Sequence, residues 1–295
     1  MIFQIKNNFE IYIQKFLMYL SRNGYSDETI KGYSKDLEKF FRHLVGTYGA
    51  QVTVLDITKE DILDYQDTLT RNGYAKNSIA RHISTIKSFS KYLFNEVGCG
   101  DDPGSKVKTP KVYTPLTTVL TEEQMKRFLE AARSYSPFYH VLTSFLYYTG
   151  SRITPVVTLL KEHVYLQEKK VYFPKIKGGK DLYLPIHDQL LNLLDQHIYA
   201  YRKESRYVFP SPKSLDKPVS TADVRFHLKK IQKAAGIQTK MTPHVIRHCT
   251  ATHLTLKGAD QRYLAAILGH SDLRSTMRYQ HLNVDNLRDT LSILD

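Results

Sequence analysis

The chain has 295 residues, enough for two domains that each bury a core. Its make-up, 42% hydrophobic and 24% charged with 14 Gly and 11 Pro, excludes a low-complexity or disordered chain. An apolar run of about 18 residues is missing, which argues against a membrane span, and 42 Lys+Arg against 29 Asp+Glu favour a polyanionic partner, most commonly nucleic acid.

The basic excess is uneven. Residues 1–99 carry 13 basic and 11 acidic groups, a net of +2, while residues 100–295 carry 29 and 18, a net of +11. Cys99 and Cys249 are too few and too far apart for a disulfide framework, so two reduced thiols in a cytoplasmic protein are expected. Lys6, Glu10 and Lys15 interrupt the apolar N-terminal residues, which read as an amphipathic helix and not as a signal peptide.

Four helices are expected first. Asn8–Arg22 places Phe9, Ile13, Phe16, Leu17 and Leu20 on one side, and Gly24 stops it. The second starts after Ser26, an N-cap residue, and runs to about Leu44 with Ile30, Tyr33, Leu37, Phe40 and Phe41 inward. Thr58 with Asp61 resembles a capping box for the third, which ends at the Asn72–Gly73 turn. The fourth covers about Lys76–Asn95, carrying Ile79, Ile83, Ile86, Phe89 and Leu93. Lys31, Lys35 and Lys39 recur every four residues on the second helix, either as a solvated face or as a stripe reaching phosphates.

Gly98–Thr118, rich in Gly, Pro and Lys and lacking an apolar period, reads as a linker. Thr121 and Gln124 then make a capping box that opens a helix at Glu122. His163–Ile186 alternates as β structure around a Gly178–Gly179 turn, which fits a small three-stranded sheet. Helices resume near Gln189–Tyr201, Thr221–Ala235, Pro243–Lys257, Gln261–Leu268 and Asp272–Tyr279, with a short amphipathic segment at Val284–Leu294. In that segment Val284, Leu287, Leu291 and Leu294 form a narrow apolar stripe able to pack on its own domain. Arg225, Lys229 and Lys233 share one stripe of the Thr221–Ala235 helix and are expected on phosphates.

Four segments could carry chemistry. Thr242 and Pro243 suit the N-cap and first position of a helix, so His244 and Arg247 lie three apart in its first turn. Free backbone N–H groups and the helix dipole make that turn an anion site. His244 and His248 also have a metal-like spacing, but Arg247 between them would repel a cation and no acidic third ligand is near. Thr149-Gly150-Ser151-Arg152 follows an apolar run that can hold Arg152 rigidly; a surface Arg fits the same residues. Lys177 precedes the Gly178–Gly179 turn, where a lysine is either solvated or able to meet a phosphate or leaving oxygen. Leu268-Gly269-His270 ends one helix, Ser271 caps the next, and Tyr279 lies two turns in.

Together and in this order, the four segments resemble the tyrosine recombinase (phage integrase) family, in its compact Xer-like or transposon-borne form. That family carries T-G-x-R, a lysine on a β-hairpin, H-x-x-R-H, and L-G-H with a tyrosine nine residues beyond the histidine; here these end or fall at Arg152, Lys177, His244 to His248, His270 and Tyr279. The likeness is strong over about Leu120–Asp295 and looser over residues 8–95.

The resemblance implies a mainly α, or α+β, architecture. Residues 1–98 would form a four-helix, SAM-like core-binding domain, 99–118 a linker, and 119–295 a mostly helical catalytic domain with a three-stranded antiparallel sheet and an exchange tail at 282–295. It implies cleavage and rejoining of duplex DNA core sites through a 3′-phosphotyrosine and a Holliday junction, by a tetramer with a dimer on each site. Tyr279 would be the nucleophile, Arg152 and Arg247 the phosphate clamp, His244 the base, Lys177 the acid on the 5′ oxygen, and His270 a hydrogen-bond partner of the scissile phosphate. No cofactor or metal is expected, and the setting would be cytoplasmic, at the nucleoid. One position departs from the pattern. Pro155 stands where the family usually has Glu or Asp, three residues after Arg152, and the sequence identifies no substitute, Glu162 being no more than a guess. A relaxing enzyme of the type IB topoisomerase kind and a non-catalytic DNA-binding relative are the alternatives.

Overall fold

Capping residues set most helix boundaries, and they do so where the sequence places them. The computed structural model describes residues 8–49, 52–112, 118–176, 180–269, 291, 292 and 294, and the chain divides into two compact units, Met1–Pro115 and Leu116–Asp295. Ordered as expected, the first unit holds α1 (Asn8–Arg22), α2 (Asp27–Tyr48), α3 (Lys59–Arg71) and α4 (Lys76–Tyr92). The Ser26 hydroxyl accepts the Thr29 N–H at 3.3 Å to open α2. At α3 the Thr58 hydroxyl accepts the Asp61 N–H at 3.2 Å while the Asp61 carboxylate accepts the Thr58 N–H at 2.8 Å. A shorter Asp thus closes the box that Glu or Gln usually closes.

Phe9, Phe16, Phe40 and Phe89 fill the core between α1, α2 and α4, with the Phe16 and Phe89 rings 5.4 Å apart. Full burial of one such ring contributes about 1.5–3 kcal/mol. Beside them lies the buried Asp36 carboxylate, which accepts from the Thr85 hydroxyl at 3.1 Å and pairs with Arg81 and His82 of α4.

Two boundaries differ from expectation. α2 runs past Leu44 to Tyr48, because Gly46 is tolerated inside the helix and the chain first turns off at Gly49, with φ of 77°. α4 ends at Tyr92 and opens into a wider turn over Leu93–Val97, stopped by Gly98 at φ of 83°. The stretch read as a linker is not uniformly one either. Pro103–Lys106 forms a single turn packed on α4, where a Cβ on Gly104 would stand 2.8 Å from Ser90 Cβ and 2.9 Å from the Lys87 Cα. The Gly104 N–H donates to Ser90 Oγ at 3.0 Å, and Val107 is buried. A missing side chain, which carries no apolar period, lets this segment dock.

The second unit is built around α6 (Pro137–Thr149), which is apolar almost all round and packs against α5 (Glu122–Tyr135), α8 (Asp188–Ala200) and α10 (Pro243–Leu256). The Thr121–Gln124 capping box opens α5. After α6 come the short α7 (Ile153–Val157) and an antiparallel sheet of β1 (Val164–Tyr165), β2 (Lys170–Ile176) and β3 (Lys180–Pro185), in that order. Val171 pairs with Leu184 and Phe173 with Leu182. A second hairpin, β4 (Pro210–Ser211) and β5 (Ser214–Pro218), was not anticipated; its short, Pro-flanked strands show no alternation. α9 (Thr221–Ala234), α10 and α11 (Gln261–Leu268) complete the described helices. The expected helix at Asp272–Tyr279 lies outside the described residues, as do Val284 and Leu287; Leu291 and Leu294 are buried in the core of this unit. Among the described residues, no helix is long and apolar enough to cross a membrane.

Candidate active site

The site grows from the place where α6, α10 and α11 meet. α6 ends at Gly150, whose φ of 59° is left-handed. A Cβ there would stand 3.0 Å from the Leu268 Cδ2 and 3.3 Å from the Thr250 Cγ2. Glycine is needed twice over, for the turn and for the approach. Two residues on, Arg152 sits extended at the N-cap of α7, half-buried, and its Nη1 donates to the Gly269 carbonyl at 3.3 Å.

α10 supplies the second arginine. The Thr242 hydroxyl accepts the Val245 N–H at 3.2 Å and Pro243 occupies the first turn, as the sequence indicated. Arg247 is only 8% exposed. Its Nη1 donates to the Gly150 carbonyl at 2.9 Å and its Nη2 to the Leu268 carbonyl. Arg152 and Arg247 therefore both anchor on the C-terminal end of α11, at adjacent residues. Neither has a carboxylate partner among the described residues.

Burial, and then the nearby Arg152 guanidinium, push Arg247 down to about 10, which still leaves it charged at neutral pH. Two cations held by carbonyl dipoles without an acid form a strong binding site for an anion, and guanidinium forks match phosphate oxygens. His244 lies on the surface of the same first turn. Burial of part of its ring, then Arg247, His248, Arg225 and Arg152, hold it below its ordinary value. The imidazole is thereby kept neutral and able to take a proton. Arg225, expected on a phosphate stripe with Lys229 and Lys233, is exposed on α9 like both lysines, and it lies near enough to act on His244.

Arg152, His244, Arg247 and Arg225 are thus brought to one region. Lys177, His270 and Tyr279 lie outside the described residues. Lys31, Lys35 and Lys39 are exposed on α2 of the first unit, where the Lys39 ammonium stands 5.4 Å from the Tyr74 ring centroid. Pro155 falls in the first turn of α7, where no helical N–H is required, so it fits the backbone without strain. Glu162 does not replace the usual acid. Its side chain is 73% exposed and stands 3.9 Å from His163. Sequence reasoning missed the carbonyls of Gly150, Leu268 and Gly269 as arginine anchors; the glycines at both helix ends were their one visible trace.

The chain matches the Phage integrase family over residues 118–286 and the phage integrase N-terminal SAM-like domain over residues 13–97. It is 31% identical over 272 residues to the tyrosine recombinase XerD of Shewanella oneidensis, covering 89% of this chain and 88% of that protein. Its fold is similar to that of a lambda integrase dimer bound to a COC' core site, with a TM-score of 0.72 at 16% identity, covering 91% of this chain and 97% of the other. A lambda integrase tetramer bound to a Holliday junction gives the same TM-score of 0.72 at 18% identity, over 91% and 79% of the two chains. With its helical first unit, its small antiparallel sheet and this similarity along most of its length, the chain belongs to the phage integrase family and is a tyrosine-type site-specific recombinase.

Proposed function

We propose that this recombinase cuts duplex DNA at short core sites by attack of the Tyr279 phenolic oxygen on the scissile phosphorus. The P–O5′ bond breaks as the 3′-phosphotyrosine forms. His244 takes the tyrosine proton, Lys177 protonates the departing 5′ oxygen, and His270 hydrogen-bonds the phosphate. Arg152 and Arg247 hold the non-bridging oxygens, where negative charge builds during attack. A 5′ hydroxyl from a second site then reverses the step, so rejoining consumes no nucleotide cofactor and passes through a Holliday junction.

The observation that carries this reading is the convergence of two guanidinium groups, without carboxylate partners among the described residues, on the Leu268–Gly269 carbonyls. His270 follows directly in sequence and Tyr279 nine residues later. The bound forms of lambda integrase, a dimer on a core site and a tetramer on a Holliday junction, support a dimer on each DNA site and a homo-tetramer at the junction. In this reading residues 1–98 grip the core site, the part of 99–118 beyond the docked Pro103–Lys106 turn joins the halves, and 119–295 catalyse. Docking of the tail 282–295 on a neighbouring protomer would require Leu291 and Leu294 to leave the core of their own unit, where they are buried. Lys31, Lys35, Lys39, Arg225, Lys229 and Lys233 contact phosphates, and the protein works in the cytoplasm at the nucleoid.

A nicked suicide substrate tests the reading, because the released fragment carries away the 5′ hydroxyl needed for reversal. A covalent protein–DNA adduct is expected from the unaltered chain and none from Tyr279→Phe. An adduct that survives in Tyr279→Phe sinks the assignment of the nucleophile.

A further inference from the structure

Behind Arg247, the face of α10 that looks onto α6 carries a run of buried polar groups that the chemistry above does not use. Arg247, Thr250 and His253 recur every three residues along this face. All three bond to the last turn of α6. Arg247 Nη1 reaches the Gly150 carbonyl at 2.9 Å, and Thr250 Oγ1 donates to the Tyr147 carbonyl at 2.7 Å. The Tyr147 hydroxyl meets His253 Nδ1 at 2.9 Å. Tyr147 is therefore held twice, once through its backbone and once through its side chain.

The far side of His253 fixes the proton positions. Its Nε2 lies 2.8 Å from the Leu120 carbonyl, which can only accept. Nε2 therefore carries a hydrogen, and in the neutral ring Nδ1 is left as the acceptor to which the Tyr147 hydroxyl donates. Burial pushes the Tyr147 phenol up, so the group stays a donor. The Leu120 N–H in turn donates to Cys249 Sγ at 3.3 Å. Thr250 is fully buried, as is Cys249, and His253 is 2% exposed. The seam is satisfied at each of these atoms. Such a network fixes one register between two helices where apolar packing alone allows sliding.

We propose that Tyr147, Thr250 and His253 are positioning residues that set the register of α10 against α6 and so aim the Arg247 guanidinium. The seam lies in line with the Arg247–Gly150 bond, so a small slip of α10 moves the guanidinium relative to its own anchor. Thr250 acts at this point twice, since its methyl carbon also bounds the space a side chain at position 150 would need. Phosphate held by a misaimed fork is still bound but is less well stabilised during attack. This inference rests on Arg247 acting as a ligand of the scissile phosphate.

The test uses the full chain with a nicked suicide substrate, in three variants close in shape to the original: Thr250→Val, Tyr147→Phe and Thr250→Ser. Single-turnover adduct formation at saturating DNA, the Kd for the same DNA, and Tm are measured for each. Thr250→Val and Tyr147→Phe are expected to slow adduct formation about tenfold at unchanged Kd, and Thr250→Ser to restore most of the rate. In an Arg247→Lys background the Thr250→Val effect is expected to shrink to less than about twofold, because both act through one group. Full rates in both variants, a loss matched by weaker DNA binding, or an undiminished effect beside Arg247→Lys would each overturn the proposal. If a variant is too unstable to assay, the remaining two decide the matter by the same criteria. An unaltered chain that forms no adduct at all would instead point to failure of the catalytic reading itself.

Discussion

Arg247 and Gly150, 97 positions apart in sequence, are joined by a 2.9 Å hydrogen bond from a buried guanidinium to the carbonyl that ends α6. The second arm of the same guanidinium holds the end of α11. Arg247→Lys keeps one charge but loses the fork, so it cannot hold both carbonyls and a phosphate in one plane. Adduct formation on a suicide substrate is expected to fall by about two to three orders of magnitude, while the Kd for core-site DNA changes far less. A lysine variant that cleaves within severalfold of the original would remove Arg247 from the clamp.

Gly150 carries a second expectation. Gly150→Ala places a Cβ at a left-handed φ of 59° and 3.0 Å from the Leu268 Cδ2. The backbone alone disfavours alanine by about 1–2 kcal/mol. Gly258→Ala is the matched control, since its φ is 84° but nothing stands within 4 Å. Calorimetry should show both variants melting lower, by about 2–4 °C per kcal/mol for a unit of this size. Gly150→Ala should lose more and also cleave more slowly, because its carbonyl anchors Arg247. Equal losses would mean the close approach is unimportant.

The pH response follows from His244. Burial, Arg247, His248, Arg225 and Arg152 all favour its neutral form, so its pKa in the folded chain lies below 6.5. In its proposed role as the base for Tyr279, it should support adduct formation on the acid side down through pH 6.5, with loss only below. Arg225→Ala removes one of the depressing charges and should move that acid limb upward at saturating DNA. Stability has the matching sign. The unfolded chain binds this proton first, so His244 contributes a loss of stability as pH falls below 6.5. An acid limb at or above 6.5 in the unaltered chain, by single-turnover cleavage across pH, contradicts the assignment.

What the sequence made legible is what side chains announce. Ser26, Thr58 and Thr121 marked three helix starts, and α1 and α11 fall on their expected residues. Arg152, His244 and Arg247 stood out only as a set, through the resemblance of their motifs, in order, to those of the family. Their shared anchors did not, because Gly150, Leu268 and Gly269 act through backbone carbonyls that look alike in any sequence. The docking of Pro103–Lys106 on α4 was hidden for a related reason. It depends on the side chain Gly104 lacks, and composition reads such a stretch as a linker. The β4–β5 hairpin was illegible because its strands are too short to show a period of two.

In the first unit, Asp36 is 1% exposed and joins α2 to α4 through Arg81, His82 and Thr85. Asp36→Asn keeps the shape but weakens the acceptor and leaves Arg81 without its charge partner. Because the Arg81 side chain is 53% exposed, water offsets part of the loss. A destabilisation of about 1–3 kcal/mol is expected, read from the urea midpoint of the full chain. An unchanged midpoint would mean that apolar packing alone joins these helices.

The lysines of α2 separate a DNA-contacting stripe from an ordinary solvated face. Lys31, Lys35 and Lys39 are all exposed, and Lys39 meets the Tyr74 hydroxyl at 3.4 Å. Every lysine that neutralises a phosphate on duplex DNA adds about 0.9 to the slope of log K against log salt concentration, through release of a counterion. A solvated lysine adds almost nothing to that slope, even if its loss slightly weakens binding by long-range attraction. Core-site affinity measured over a series of salt concentrations therefore resolves the two roles for each position. Lys31→Ala, Lys35→Ala and Lys39→Ala are each expected to lower the slope by about 0.9 with little change in base preference, since phosphate contacts carry no sequence information. Three unchanged slopes would return the stripe to its plainer role as a solvated helix face, and would move the search for phosphate contacts in the first unit to its other helices.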